Sequence, residues 1–315
     1  MHDRGQNKGH PTPTPDHGRH HTGQRTRHGL AWAFLGVLSF SFSVPLTKVA
    51  VAGFDPFLTA TGRAAIAGLL AVLVLLVTRP PLPERRFLTP LLTTAGGAVF
   101  GWPILLALAL QRTTSAHAAV IAAFMPLTTA LIAVLRTHER VSAQFWLAAG
   151  TGTAALVAFA LSRGGGTGGD LRADLLVAGA VLASSWCYVE GASVSASLPG
   201  WQVISWVVVL ALPVTLPASA ALWFTAQRSY SPTPAAWTAL VLLGAFSMYL
   251  AFFPWYHGLV LAGTARGGQV QQVQALLTLL WSALLLHERV TWVTVGAAVV
   301  VVGCVLWALR ARTPS

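Results

Sequence analysis

Between residues 30 and 309 the chain alternates long apolar runs with short polar breaks. Ten runs stand out, at 30–52, 56–77, 88–110, 116–135, 142–161, 175–194, 201–224, 235–257, 263–286 and 291–309. A helix rising 1.5 Å per residue needs about 20 apolar residues to cross roughly 30 Å of hydrocarbon. The breaks carry turn formers or charge, as in Gly53-Phe54-Asp55-Pro56, Arg79-Pro80-Pro81 and Ser231-Pro232-Thr233-Pro234. Backbone groups in lipid find no water, so spans are helices or a closed barrel. Unbroken apolar runs lack the period-two alternation of a barrel. The pattern predicts an all-α polytopic membrane protein with ten transmembrane helices.

Composition agrees, with 55% hydrophobic and 9% charged residues where a soluble domain carries roughly a quarter charged. Residues 1–29 differ: Pro, Gly, His, Thr and Arg dominate, and such a segment buries too little to offset its ordering entropy. It is expected to be a disordered cytoplasmic tail. His10, His17, His20 and His21 fall in it, but their spacing matches no defined metal site. The first apolar run is too long and too far from the start to be the core of a signal peptide. Residues 310–315 form a basic C-terminal tail.

Lys and Arg concentrate in the tail, in the breaks near Arg79 and Arg136, and at the C-terminus, outweighing Arg112, Arg163, Arg172, Arg228 and Arg289 on the other side. This bias predicts a multi-pass membrane protein with both termini cytoplasmic. It also accounts for the net charge of +11 without a nucleic-acid partner.

The tetrapeptide His138-Glu139-Arg140-Val141 recurs as His287-Glu288-Arg289-Val290, each copy before the last apolar run of its half. The repeat marks a duplicated five-helix unit, 30–162 and 175–309, joined by a Gly-rich linker at 163–174. An odd number of spans turns the second copy upside down, and inverted repeats place a substrate path near the midplane at their interface.

These features together resemble the EamA-type transporters of the drug/metabolite transporter superfamily. The resemblance covers residues 30–309: five plus five spans, Arg63 inside the second, Pro126 followed by Glu139 and Arg140 at the end of the fourth, and Glu288 and Arg289 at the end of the ninth. It implies inner-membrane export of amino acids or similar small metabolites, with proton coupling suspected. Ala275 stands where the family often has a second Pro, which puts a helix break there in doubt.

Charge in mid-span costs about 2.5–3.5 kcal/mol on insertion scales and marks functional candidates. Glu190 lies in the sixth run with Trp186 one turn earlier and Tyr188 beside it; a carboxylate in a low-dielectric cavity is a carrier for proton coupling. Arg63 and Glu190 either pair with each other structurally or serve the pathway. Lys48, late in the first run, either snorkels to the headgroups or faces the pathway. In the ninth span Gln271, Gln274, Thr278 and Trp281 share a face, with Gln272 beside it. The stripe is either helix-to-helix glue or a substrate lining. Phe42, Trp255 and Tyr256 are weaker candidates, the last two also suiting an interfacial aromatic belt. Glu139 and Glu288 read as caps for the helices that follow them, beside Ser142 and Thr291.

No metalloprotease His pair, nucleophile elbow or phosphate-binding Gly loop is present, so neither an enzyme nor an ATP-driven pump is expected, and no cofactor. Two classes remain: a secondary transporter, with an uncoupled channel-like facilitator as its variant, and a non-transporting scaffold or receptor. The sequence leaves substrate, transport direction and oligomeric state open.

Overall fold

The computed structural model describes residues 17–137, 142–162, 170–195, 197–226, 230–262, 270–271 and 273–311. The tail to residue 16, both Glu139 and Arg140, most of the Gly-rich linker and Gln272 lie outside them. The helices are α1 (His17–Ser41), α2 (Ser43–Ala50), α3 (Pro56–Thr78), α4 (Arg85–Ala95), α5 (Trp102–Leu110), α6 (Ser115–Ala122), α7 (Met125–Thr137), α8 (Ala143–Ser162), α9 (Leu171–Ser195), α10 (Gly200–Ala226), α11 (Pro234–Leu242), α12 (Phe252–Ala262), α13 (Val273–Leu286) and α14 (Trp292–Ala311). Two π-helical segments, Gly96–Gly101 and Leu243–Leu250, join α4 to α5 and α11 to α12.

Local chemistry sets the boundaries. Asp55 caps α3, accepting from the N–H groups of Phe57 and Leu58 at 2.8 and 3.3 Å, with Pro56 in the first turn. Arg79 ends the helix in the left-handed region, at φ 46°, directly before Pro80. Thr114 and Thr233 cap α6 and α11 in the same way.

Among the described residues seven helical stretches are long and apolar enough to cross a membrane: Arg27–Ala50, Pro56–Thr78, Arg85–Leu110, Ser115–Arg136, Leu171–Ser195, Gly200–Thr225 and Pro234–Leu261. Val273–Leu286 and Trp292–Trp307 are shorter apolar helices, and α8 is a further apolar helix of 20 residues. Several stretches are interrupted mid-way: at Phe42, at Ala123 and Phe124 before Pro126, and at the two π segments. Ala275 falls in the first turn of α13, which begins at Val273 shortly after a turn at Gln271.

Two expected boundaries move. Residues 17–29, given to the tail by composition, are helical, because extending an existing helix costs far less than nucleating one. Residues 171–174, given to the linker, form the first turn of α9. Asp170 accepts from the Arg172 N–H at 2.9 Å and pairs with Arg112 at 3.1 Å. Those two contacts, the backbone N–H first, hold its carboxyl below the usual carboxylate range.

Packing runs largely between the halves of the chain. Helix α3 lies along α10, α1 along α12, α5 along α9, α6 along α13, and α8 along α14, while α7 meets α9 and α1 meets α13. Lipid tails are as apolar as Leu, so close approach of small residues holds such helices together. Accordingly α3 buries Ala60, Ala64, Ala67 and Ala71 and leaves Leu69, Leu73, Leu76 and Val77 exposed on the outside.

Candidate functional site

The interrupted spans converge on a partly open cavity of ≈ 510 Å³, counting the space through which it opens to solvent. The first half contributes Phe40, Ser43, Arg63, Ala98, Trp102 and Met125; the second contributes Ser184, Cys187, Tyr188, Ile204, Ser247, Met248, Phe252 and Gln274. Ala98 comes from one π segment, and Ser247 and Met248 come from the other. A π turn displaces the following residues around the helix, which turns these side chains to the cavity and is why such turns often mark sites.

Arg63 is the cation of this cavity, at 3% exposure. Its Nη2 donates to Ser247 Oγ at 3.4 Å, while Nε and Nη1 have no hydrogen-bond partner among the described residues. Gln274 Oε1 is likewise buried and unpartnered. Gln274 and Met125 also border an adjoining hollow with Gln271, Ala275 and Thr278. Gln271 Nε2 points at the Met125 sulfur, 3.8 Å away.

The remaining sequence candidates divide between the cavity wall and contacts elsewhere. Glu190 is buried, but its carboxylate pairs with Arg136 at the end of α7, and it does not line the cavity. Of the two alternatives for Arg63 and Glu190, a mutual pair is not the one formed: Arg136 reaches Glu190 from a half-exposed position. Trp186 is 49% exposed, turned outward, whereas Tyr188 faces the cavity.

The stripe on α13 splits. Gln271, Gln274 and Thr278 border the hollow, and Thr278 also donates to the Ser41 carbonyl at 3.0 Å while Trp281 Nε1 donates to Ser41 Oγ at 2.8 Å. Trp281 also stacks on Phe42, ring centroids 4.4 Å apart. The lower stripe thus grips the backbone where the first span breaks, a carbonyl that α1 leaves open. Phe42 itself borders a separate apolar hollow with Leu38, Leu46 and Phe246. Trp255 and Tyr256 are buried in the core rather than at an interface, Trp255 edge-on to Phe40 and Tyr256 against Phe252.

Lys48 does not snorkel. Its Nζ donates to the carbonyls of Leu110 and Thr113 at 2.5 and 2.8 Å, the open acceptors at the end of α5. Nor does Glu288 cap the helix that follows it. Its two carboxylate oxygens accept from the N–H groups of Ser115 and Ala116, both at 2.9 Å, so it caps α6 across the fold. Thr291 alone caps α14. At the residue after Ala116, His117 Nε2 meets Asp174 Oδ1 at 2.7 Å, both residues buried. Sequence reasoning missed this pair because it placed Asp174 in the linker. It missed the π segments although Gly96, Gly97 and Gly244 mark them in mid-run.

The fold matches known proteins over almost its whole length. A solved structure described as "Crystal structure of protein" superposes with a TM-score of 0.61, covering 92% of this chain and 98% of that one at 22% identity, which speaks to the fold alone. "Uncharacterized transporter YdeK" of Bacillus subtilis (strain 168) is 41% identical over 286 residues, 91% of this chain and 98% of that protein. "Uncharacterized transporter YetK" of the same organism is 22% identical over 279 residues. The model of the EamA-like transporter family matches twice, over residues 27–161 and 171–310. A multi-pass membrane architecture with one copy of that unit in each half follows, and the chain belongs to the EamA-like transporter family.

Proposed function

We propose that this protein is a ten-span secondary transporter of the inner membrane that exports amino acids or similar small metabolites by alternating access, coupled to protons. The cavity carries the reading. Both halves line it, and one buried cation with a few uncharged polar groups stands in an otherwise apolar wall, as ligand sites are built.

The packing supports two inverted five-helix repeats, 30–162 and 175–309. Exchanging each span for its counterpart turns the α1–α12 contact into α9–α5, and α7–α9 into α13–α1. The α3–α10, α6–α13 and α8–α14 contacts map onto themselves. The two π segments exchange as well. A site between inverted repeats can face either side as one repeat rocks against the other. The basic loops support cytoplasmic termini.

Glu190 is the carboxylate proposed for coupling. A proton bound there cancels its charge and releases Arg136, loosening α7 from α9. Counterflow of radiolabelled amino acids in proteoliposomes, with and without a pH gradient, tests the reading. Accumulation that grows with the gradient supports it; absence of flux with every solute offered overturns transport in favour of a scaffold.

A further inference from the structure

We infer that the cavity selects substrates by a carboxylate, which Arg63 holds while an apolar body lies against Phe40, Trp102 and Phe252. The inference rests on the transport reading and narrows its substrate class to small carboxylic acids with an apolar body, excluding amines that lack the acid group.

Arg63 supplies the reason. A guanidinium stays protonated wherever it is placed, so burial cannot discharge it and a partner has to be found. Its bond to Ser247 uses one donor at the long distance of 3.4 Å and brings no negative charge. Nε and Nη1 are the donors left without partners. Each carboxylate-binding edge of the planar fork pairs one of them with Nη2, and Nη2 has two N–H groups of which the Ser247 bond uses one, so one edge stays open to take the two oxygens of a carboxylate with parallel N–H bonds. No Asp or Glu is among the described residues lining the cavity, so the protein offers no internal counter-charge there. The only described acid buried near this level of α9, Glu190, is occupied by Arg136.

The rest of the wall fits the same ligand. Phe40 comes from α1, Trp102 from α5 and Phe252 from α12, giving apolar surface from three directions. Gln274 Oε1, buried and unpartnered, accepts one N–H or O–H from the ligand. With no acid to balance an ammonium, an amine without a carboxylate brings a second positive charge beside Arg63. The field of the site repels it.

The test uses the purified full chain in detergent and in proteoliposomes, with 3-phenylpropionate, its neutral amide and phenethylamine as probes. Calorimetric titration reads binding and counterflow reads transport. The acid is expected to bind about ten- to a hundred-fold more tightly than the amide, the range of a charge-assisted pair, with the amine weaker still. Arg63→Gln is expected to erase the difference between acid and amide, and Arg63→Lys to retain part of it. Equal binding of acid and amide to the unaltered protein overturns the inference, and that comparison needs no variant to fold. Selective binding of the acid without flux of any solute sinks the transport reading and leaves the carboxylate site standing.

Discussion

Asp174 and Glu190 sit near opposite ends of α9, and each is held by the same neighbouring stretch: Asp174 by His117 of α6 at 2.7 Å, Glu190 by Arg136 of α7. Between them Ser185 Oγ lies 2.5 Å from Thr128 Oγ1 and donates to the Met125 carbonyl at 3.2 Å. The ties from Thr278 and Trp281 to Ser41 are their counterpart in the exchanged repeat. Any rearrangement that opens the cavity has to break these bonds or carry α6, α7 and α9 as one body.

Glu190→Gln removes the ion pair while keeping the shape. Arg136 is half-exposed and turns to water, so the stability loss is about 1–2 kcal/mol, below the roughly 3–5 kcal/mol of a fully buried pair. Uptake driven by a pH gradient is expected to disappear in vesicles while downhill exchange continues; unchanged coupling removes Glu190 from the mechanism.

At the other end of α9, neither His117 nor Asp174 can reach water without unpacking. Asp174→Ala should lower stability by about 1.5–3 kcal/mol, the worth of a buried bond to a charged group. Thermal unfolding in detergent measures it, and a loss under half a kilocalorie contradicts the buried pair.

Two adjacent glycines offer an internal control. A Cβ on Gly97 would stand 2.2 Å from the Ala183 carbonyl oxygen of α9, whereas one on Gly96 meets nothing within 4 Å. Gly97→Ala is expected to cost about 1–3 kcal/mol or more by forcing the π segment off α9. Gly96→Ala should be neutral or slightly stabilising. Folded yield and melting temperature of the two variants decide it.

Glu288→Ala uncovers the first N–H groups of α6 and should cost about 1–2 kcal/mol. It also takes the carboxylate from near Lys48, so hydrogen exchange is expected to rise at residues 110–117. Exchange rising at the start of α14 instead would return Glu288 to the role its neighbours in sequence suggest.

Gln274→Leu keeps the volume of the wall and removes its acceptor. Transport is expected to fall several-fold with the amount of folded protein unchanged, as counterflow and size-exclusion yield together report.

The all-α membrane architecture and the duplication were legible in the sequence because both are written in one dimension. Apolar length dictates a span, and a repeated tetrapeptide dictates a period. The family model matches residues 27–161 and 171–310, one stretch in each half of the chain. Arg63, Tyr188, Gln271 and Gln274 stand beside the cavity and its adjoining hollow, and the sequence singled them out as polar groups in or near costly mid-span positions. What each polar group touches was decided only by tertiary structure. Lys48 finds the end of α5, Glu288 the start of α6, Thr278 and Trp281 the break at Ser41, and Glu190 finds Arg136. A buried donor or acceptor takes the nearest open partner in space, and in a bundle that partner lies on a helix distant in sequence.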